Sequence, residues 1–283
     1  MDDLKNVKEI VKEKYGEIAK SSSSCCGPSS CCGSTNEIVG YTVMNDEYTH
    51  LEGYVADADL SLGCGLPTEF AGIKKGDTVI DLGSGAGNDV FVVRAIVGEQ
   101  GKVIGVDMTK EMIEKAEQNN SKLGYTNVEF RFGDIEDLPL ADNLADVVVS
   151  NCVLNLVPDK QKAFSEIYRT LKPGAHFCVS DIVVKGELPP ELKKSAEMYA
   201  GCVAGAIQQE DYLAIIKEAG FINTEIKKTK VIELPDDVLL QYQDKDQLQS
   251  YKSSGVGIFS ITVVAEKPID KTKGCCDDSC CKN

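Results

Sequence analysis

Cysteine is the residue type in this chain with the most distinctive chemistry. The 283 residues include 12 cysteines, and eight of these form adjacent pairs near the two ends of the sequence. The paired cysteines are Cys25, Cys26, Cys31 and Cys32 near the start, and Cys275, Cys276, Cys280 and Cys281 near the end. Thiolates are soft ligands, so this pattern indicates a protein that handles a soft, thiol-seeking element.

Four further cysteines lie in the body of the sequence, in different contexts. Cys64 is flanked by glycines in LGCG, and Cys202 lies among the small residues of GCVAGA, so both sulfur atoms have space around them. Cys152 follows a predicted strand in a polar, turn-forming segment. Cys178 alternates with apolar residues inside another predicted strand, which is typical of a core cysteine. We therefore interpret Cys64, Cys152 and Cys202 as functional.

Structural zinc is the alternative interpretation of the paired cysteines. Their patterns, CC-x4-CC and CC-x3-CC, lack the C-x2-C spacing of structural zinc sites. Only His50 and His176 are available as nitrogen ligands. The spacing therefore disfavours zinc.

Composition and charge narrow the possible partners. The formal net charge is −15 and the isoelectric point is about 4.7, which argues against a surface that follows nucleic-acid phosphates. No apolar run reaches the roughly 18 residues that a membrane span needs, and the first 20 residues form a charged helical pattern rather than a signal peptide. We expect a cytoplasmic protein with no nucleic-acid or membrane partner. In a reducing compartment, metal-binding or catalytic thiols are more common than disulfides.

Short apolar runs rich in Val and Ile alternate with helical patterns along the middle of the chain. The predicted strands are 78–83, 102–108, 128–134, 145–151 and 175–182. The predicted helices between them are 88–97, 109–123 and 159–171. Near-continuous hydrophobicity is typical of strands buried on both faces, and the alternation predicts right-handed βαβ units in a doubly wound, mostly parallel α/β sheet of Rossmann-like type. Thr109 is the predicted N-cap of the second helix, and Gly124 is its predicted end.

The remaining segments have other patterns. Residues 3–20 predict an exposed helix, and 21–35, which are rich in Ser, Cys, Gly and Pro, predict a flexible arm. Later helical patterns lie around 191–206 and 210–219, and the later strand candidates are 224–234 and 258–268. These two strands either extend the sheet or build a small C-terminal lobe.

The strongest motif is the glycine turn, which we define as residues 81–89 with the sequence DLGSGAGND. It directly follows the first predicted strand, where glycines let the backbone turn tightly and approach a ligand. Its G-x-G-x-G spacing differs from the G-x-G-x-x-G of nucleotide dehydrogenases and so disfavours NAD. Asp81 can accept a charge-assisted hydrogen bond from an ammonium group. S-adenosylmethionine has such an end and carries no phosphate.

Two more acids close the next two predicted strands. Asp107 lies at about the 20-residue offset at which an acid meets ribose hydroxyls in doubly wound folds, and Asp134 is placed to bind the adenine amine. Three acids in register with a glycine turn predict a site for S-adenosylmethionine. The predicted cofactor-binding residues are Asp81, Gly83, Ser84, Gly85, Asp107, Met108, Asp134, Ile135 and Asn151.

An acid followed by G-x-G-x-G makes residues 70–185 resemble the class I S-adenosylmethionine-dependent methyltransferases. Further stretches resemble one family more specifically, the arsenite S-adenosylmethionine methyltransferases. These stretches are GCG around Cys64, DLGSGAGND at 81–89, GVDMT at 105–109, SNCVLNLVPDK at 150–160 and GCVAGA at 201–206, after a cysteine-rich arm. The CC-DDS-CC tail is not a general feature of that family, and its role is open.

The resemblance implies a chemistry for each functional cysteine. It implies that Cys152 and Cys202 bind trivalent arsenic, that Cys64 takes part in binding or in the redox step, and that one arm cysteine cooperates with Cys64. It further implies arsenite or its glutathione conjugate as substrate, S-adenosylmethionine as cofactor, and thioredoxin or glutathione as reductant. Four arm cysteines fit the role beside Cys64 equally well.

These observations divide the chain and leave two other functions open. The predicted parts are a helix and cysteine-rich arm (1–40), a cofactor-binding methyltransferase domain (41–185), a smaller substrate-binding region (186–270) and a cysteine-rich tail (271–283).

One alternative function is that of a methyltransferase for a small organic acceptor, which would need an acid or base near the methyl group and would not need Cys152. The other is a thiol-rich metal-sequestering protein, which would bind metal without consuming the cofactor.

Overall fold

The structure is a computed structural model that describes residues 2–21, 48–188, 203, 205–233 and 253–269, with the backbone alone for 2–7 and 21. Cys202 and the eight paired cysteines lie outside these residues, as does most of the helix predicted at 191–206. Among the described helices, none is long and apolar enough to cross a membrane.

One seven-stranded sheet organises the described residues. Its strands are β1 (Thr78–Leu82), β2 (Lys102–Asp107), β3 (Val128–Phe132), β4 (Ala145–Asn151), β5 (Leu171–Lys185), β6 (Ile222–Val231) and β7 (Gly257–Glu266). Their order across the sheet is β3-β2-β1-β4-β5-β7-β6. Strands β1 to β5 are parallel, and β7 runs antiparallel to both of its neighbours. The predicted α/β fold is confirmed, and the two late strands extend the sheet.

Helices connect and cover these strands close to the predicted bounds. They are α1 (Asp2–Ser21), α2 (Pro67–Phe70), α3 (Asn88–Val97), α4 (Lys110–Leu123), α5 (Lys160–Thr170) and α6 (Gln209–Glu218), with a 3-10 turn at Leu154–Leu156. Gly124 ends α4 with φ 70° and ψ 23°, the left-handed conformation that glycine favours. Thr109 is the N-cap of α4, but its side chain makes no capping hydrogen bond.

Both faces of the sheet are buried, which explains the near-continuous hydrophobicity of its strands. On one face, Phe164 of α5 packs against both Phe177 of β5 and Tyr212 of α6. On the other face, Val90 and Phe91 of α3 lie in a second core cluster with strand residues of β1, β2 and β4. A sheet held from both sides keeps the carboxyl ends of its strands in fixed positions. The strand order reverses between β1 and β4, and this is where open α/β sheets bind their ligands.

The glycine turn begins where β1 ends and is fixed to β2. The backbone amides of Gly83 and Ser84 both donate to the carbonyl of Val106, at 2.7 and 3.1 Å. Gly83 has φ 70°, and a Cβ there would overlap the side chain of Val153. Glycine at this position therefore satisfies both the backbone conformation and the close packing.

We predict that Gly105→Ala disturbs the glycine turn. A Cβ on Gly105 would lie 2.7 Å from Ser84 Oγ and 2.8 Å from the Phe130 ring. Moving them should cost about 1 to 3 kcal/mol and weaken binding of S-adenosylhomocysteine, the product form of the predicted cofactor. Thermal denaturation and calorimetry measure the two effects.

Gly124→Ala is the matched control for this prediction. Gly124, unlike Gly105, has a positive φ of 70°, and an added Cβ there meets no atom within 4 Å. The control should lose roughly 1 kcal/mol through backbone strain and keep its ligand affinity. Equal ligand affinity in the two variants would contradict the role of Gly105.

Candidate functional site

A cleft opens at the carboxyl ends of β1 to β4. Every residue predicted to bind the cofactor lines it, together with Cys152. These residues come from four segments of the chain: Asp81, Gly83, Ser84, Gly85, Asp107, Met108, Asp134, Ile135 and Asn151. The structure thus brings the predicted set together at the reversal of strand order, while the individual roles remain predictions.

Asp81 is a buried carboxylate at the end of β1. It is 2% exposed, and no hydrogen-bond donor to it is found in the described part of the chain. Burial, followed by the nearby charges of Asp89 and Asp107, raises its pKa well above the usual range. Burying an ionised carboxylate without a partner costs free energy. A cationic ligand would pair with the Asp81 carboxylate and offset this cost.

Asp107 connects the glycine turn to helix α4. Its Oδ2 accepts a hydrogen bond from the amide of Gly85 at 3.0 Å, and its Oδ1 accepts one from the amide of Thr109 at 2.7 Å. Burial raises the pKa of Asp107, and these backbone hydrogen bonds oppose the rise. The carboxylate therefore has a fixed orientation at the edge of the cleft.

Asn151 joins several segments at the end of β4. Its Nδ2 lies 2.6 Å from the Tyr48 hydroxyl, 2.8 Å from the Gly65 carbonyl oxygen and 3.2 Å from Asp89 Oδ2. The Tyr48 hydroxyl lies 3.1 Å from both oxygens of Asp89. Burial raises the pKa of Asp89 to about 6, against the hydrogen bonds from Asn151 and Tyr48. The sequence motifs gave no role to Tyr48 or Asp89, because only the fold places them together.

Cys64 is held under the cleft by three hydrogen bonds. Its amide donates to Asn151 Oδ1 at 3.1 Å, its carbonyl accepts from Ser260 Oγ at 2.6 Å, and its thiol donates to the Ser180 carbonyl at 3.8 Å. Cys64 is fully buried and does not itself line the cleft, whereas Gly63 does. A Cβ on Gly65 would lie 2.6 Å from Ser180 Oγ, which confirms that the flanking glycines permit close approach.

Cys152 occupies an unusual backbone conformation just after β4. Its φ is 62°, a left-handed value that is uncommon for a residue other than glycine and that often occurs at functional sites. Its amide donates to the Ser180 carbonyl at 2.8 Å. That carbonyl also accepts the Cys64 thiol, so one backbone oxygen brings the two cysteines together.

The segment after Cys202 lies against the turn that follows Cys152. Cys202 itself is outside the described residues, but Val203 is 2% exposed. A Cβ on Gly205 would overlap the carbonyl of Asn155, so the backbones are in close contact. Residues adjacent in sequence to Cys202, one predicted arsenic ligand, therefore lie near the turn that follows Cys152, the other predicted ligand.

Cys178 differs from the other described cysteines. Its thiol donates to the Pro67 carbonyl at 3.2 Å inside an apolar cluster. Burial raises the pKa of this thiol to about 12, so it stays protonated and unreactive. The prediction that Cys178 is a core residue is confirmed.

Comparisons with known proteins identify the family. A family model described as a methyltransferase domain matches residues 73–220. The chain is 40% identical over 275 residues to the arsenite methyltransferase of Halobacterium salinarum, and the alignment covers 94% of this chain and 68% of that protein. It is 33% identical over 240 residues to the arsenite methyltransferase of Aquipseudomonas alcaligenes, covering 82% and 67% of the two chains. The chain belongs to the arsenite methyltransferase family.

A solved structure supports the same assignment. The crystal structure of an arsenic(III) S-adenosylmethionine methyltransferase from Chlamydomonas reinhardtii matches with a TM-score of 0.57 and 30% identity. The match covers 83% of this chain and 74% of that one. The resemblance inferred from the motifs is confirmed, and so is the class I methyltransferase fold.

Helix α1 is less exposed than its sequence predicted. The pattern at 3–20 predicted an exposed helix, and the helix is present. However, Gly16 and Ala19 are buried, and Val11 and Tyr15 line the cleft. The spacing of these four residues gives one helical face, and this was the signal that the charged composition of the segment concealed.

We predict that Asp81→Asn weakens binding of S-adenosylmethionine by roughly 10- to 100-fold, because it removes the negative acceptor and keeps the shape. Asp57→Asn is the control, since Asp57 is 67% exposed and pairs with Lys122 on the surface. Calorimetry on both variants measures the effect. An unchanged affinity for Asp81→Asn would exclude Asp81 as the ligand of the ammonium group.

We also predict that the preference for S-adenosylmethionine over S-adenosylhomocysteine decreases as the pH falls from about 8 to about 5. Burial raises the pKa of Asp89 to about 6, so this carboxylate gains a proton in this range, and burial also raises the pKa of the neighbouring Asp81. Protonation removes negative charge, which weakens attraction for the sulfonium cation by roughly 10-fold and leaves the neutral thioether little affected.

Titration calorimetry with both ligands across this pH range tests the prediction. The variant Asp89→Asn should show a smaller pH dependence. A ligand preference that is constant with pH in the unmodified chain would show that these acids do not act on the sulfonium.

Proposed function

We propose that this chain transfers a methyl group from S-adenosylmethionine to trivalent arsenic held by Cys64, Cys152 and Cys202. The observation that carries the proposal is the position of the Ser180 carbonyl, which binds the Cys64 thiol and the Cys152 amide directly beside the cofactor cleft. The close packing of Gly205 on the turn after Cys152 supports adding Cys202. Membership of the arsenite methyltransferase family supports the choice of acceptor.

The residues of the cleft fit S-adenosylmethionine. Asp81 is a buried acid with no hydrogen-bond donor in the described part of the chain, so a cationic ligand can pair with it. The glycines of the glycine turn let a ligand approach the backbone closely. Ser84 Oγ is buried without a hydrogen-bond partner in the described structure, so it is also available. Asp81 would hold the ammonium group, Asp107 the ribose hydroxyls and Asp134 the adenine amine. When bound, the cofactor supplies a methyl group on a positively charged sulfur.

The cysteines hold the acceptor and leave its reactive electrons free. Trivalent arsenic is soft, and thiolates replace its hydroxide or glutathione ligands while its lone pair remains available. That lone pair carries no proton, so no general base is needed. The protein mainly has to align acceptor and donor, and positioning of this kind can contribute about 7 to 11 kcal/mol in favourable cases. The strained backbone of Cys152 fits a residue held in place for alignment.

A redox step follows from the electron count. The arsenic lone pair forms the new As–C bond, so arsenic is oxidised to the pentavalent state. Two thiols can return it to the trivalent state by forming a disulfide, which thioredoxin or glutathione then reduces. Cys64 and one arm cysteine are the proposed pair. The cysteine-rich tail is proposed to capture arsenic or to supply reducing thiols.

A methyltransferase for an organic acceptor would use the cleft differently. It would need an acid or base near the methyl group, and Asp89 has a suitable pKa of about 6. However, the Asp89 carboxylate is already bonded to Tyr48 and Asn151. The arsenic proposal uses the cysteine arrangement and needs no such base.

We predict that Cys152→Ser and Cys202→Ser each abolish methylation of arsenite and leave cofactor affinity within about twofold. A hydroxyl keeps the size of the thiol but is a poor ligand for a soft element. Purified protein is incubated with arsenite, cofactor and thiol, and arsenic species are separated by chromatography with element-specific detection.

Cys178→Ser is the matched control for these variants. Its thiol lies in the core and should affect stability but not product formation. Retained arsenite turnover in Cys152→Ser would exclude Cys152 as an arsenic ligand. A wild-type chain that methylates an organic acceptor but not arsenite would favour the first alternative, and one that binds metal without consuming cofactor would favour the second.

A further inference from the structure

Helix α1 reaches the cofactor cleft from a distant part of the sequence. Val11 and Tyr15 line the cleft and lie four residues apart, on the same face of the helix. Gly16 packs on helix α4, where an added Cβ would lie 3.3 Å from Glu111 Oε2. The absence of a side chain at Gly16 therefore lets the two helices approach closely. None of the motifs that identified the cofactor site includes this helix.

Lys8 connects α1 to the loop that follows β3. Its Nζ donates to Asp134 Oδ2 and to Glu136 Oε2, both at 2.6 Å. The side chains of Lys8 and Glu136 are only 20% and 11% exposed, so solvent screens this contact less than it screens a surface pair. Burial alone would lower the pKa of Lys8, but the two carboxylates raise it; the pKa of Asp134 is lowered by Lys8 despite burial. Lys8 therefore forms an ion pair with each of the two carboxylates.

The two carboxylates are fixed by further hydrogen bonds. Asp134 Oδ1 accepts from the amide of Glu136 at 3.0 Å, and Glu136 Oε1 accepts from the amide of Asp159 at 2.8 Å. Asp159 is the N-cap of α5. Lys8 thus attaches α1 to a rigid point of the fold, at the edge of the cleft where Asp134 is located.

We propose that α1 forms the outer wall of the cofactor site and that Lys8 is the positioning residue that holds it there. Tyr15 and Val11 offer an apolar and aromatic surface against which the flat adenine ring can pack. Lys8 also fixes the orientation of Asp134, the acid proposed to bind the adenine amine. This inference depends on the proposed cofactor and is independent of arsenic as the acceptor.

The proposal makes helix docking and cofactor binding two coupled events. If the cofactor contacts the docked helix, each favours the other by the same factor. Weakening the Lys8 contact lowers the fraction of molecules with a complete site, so the apparent affinity decreases in proportion.

Substitution of two lysines on the same helix tests this coupling. Lys8→Met should raise the dissociation constant of S-adenosylhomocysteine by roughly 5- to 20-fold, and Lys8→Arg, which keeps the charge, should raise it by less than about threefold. Lys20→Met is the control. Lys20 is 67% exposed and pairs with Glu111 on the surface, so its loss should change the dissociation constant by less than about twofold. Calorimetry gives the constants, and circular dichroism checks that each variant is folded.

Kinetics and fluorescence supply readouts that a purely structural role would not change. In Lys8→Met the KM for S-adenosylmethionine should rise by the same factor as the dissociation constant, and the KM for arsenite should not. The chain contains no tryptophan, so Tyr15→Trp introduces a single indole on the proposed wall, whose emission can be separated from that of the tyrosines. Its emission should shift on titration with S-adenosylhomocysteine, and the midpoint should move to higher concentration when Lys8→Met is added.

The outcomes separate this inference from the proposed function. Equal ligand affinity for Lys8→Met and Lys20→Met overturns the positioning role of Lys8, and unchanged emission of Tyr15→Trp at saturating ligand overturns the wall. A chain that binds the ligand with these dependences but does not methylate arsenite supports the inference and refutes the proposed function. If the chain methylates arsenite but Lys8→Met does not change its affinity for the ligand, the proposed function is supported and this inference is refuted.

Discussion

The side chain of Asn151 is the interaction on which both halves of the site depend. Through Nδ2 it binds the Tyr48 hydroxyl, the Gly65 carbonyl and Asp89, and through Oδ1 it accepts the amide of Cys64. The cofactor side and the thiol side are therefore attached to one residue at the end of β4. A buried network of this type is valuable only when every member is satisfied, because a lost partner leaves a polar group unpaired. In the proposed function, its rigidity would fix the distance between the methyl donor and the acceptor.

The acids of the cleft give it a negative charge, which favours a cationic ligand. Asp81 and Asp89 are buried, and Asp107 is partly buried nearby; the charges of Asp89 and Asp107 add to the effect of burial in raising the pKa of Asp81. The fold accepts this cost at a functional site, where a cationic ligand offsets it. In the proposed function, the same field would favour the sulfonium form over the neutral thioether product, which would help the product to leave. Binding and release would then both depend on one group of acids.

Much of the fold was predictable because its signals are local. Buried parallel strands are continuously apolar, and the helix from Lys110 to Leu123 ends at a glycine with positive φ, so both could be recognised in the sequence. The glycine turn and the acids at strand ends share a cleft because parallel strands end at the same edge of the sheet. The rest depends on tertiary contacts. Lys8 lies 126 residues from Asp134, and Tyr48 lies 103 residues from Asn151, and no periodicity predicts such pairs. The sequence carries no local signal for the positive φ of Cys152 either.

The surroundings of the cysteines explain why a buried thiol site near several acids suits trivalent arsenic better than zinc. Three thiolates neutralise a trivalent arsenic centre, so the complex carries no net charge and burying it costs little solvation energy. The same three thiolates on Zn²⁺ leave a net negative charge, and a fourth thiolate adds another. Cys64 is fully buried, and Asn151, which binds its amide, also binds the acid Asp89, so an anionic zinc complex at the proposed site would meet both desolvation and repulsion. Softness alone does not separate these two elements, because both bind sulfur well. At the proposed site the low dielectric and the negative cleft would therefore discriminate by charge, and the acids proposed to attract the sulfonium would also disfavour the competing metal.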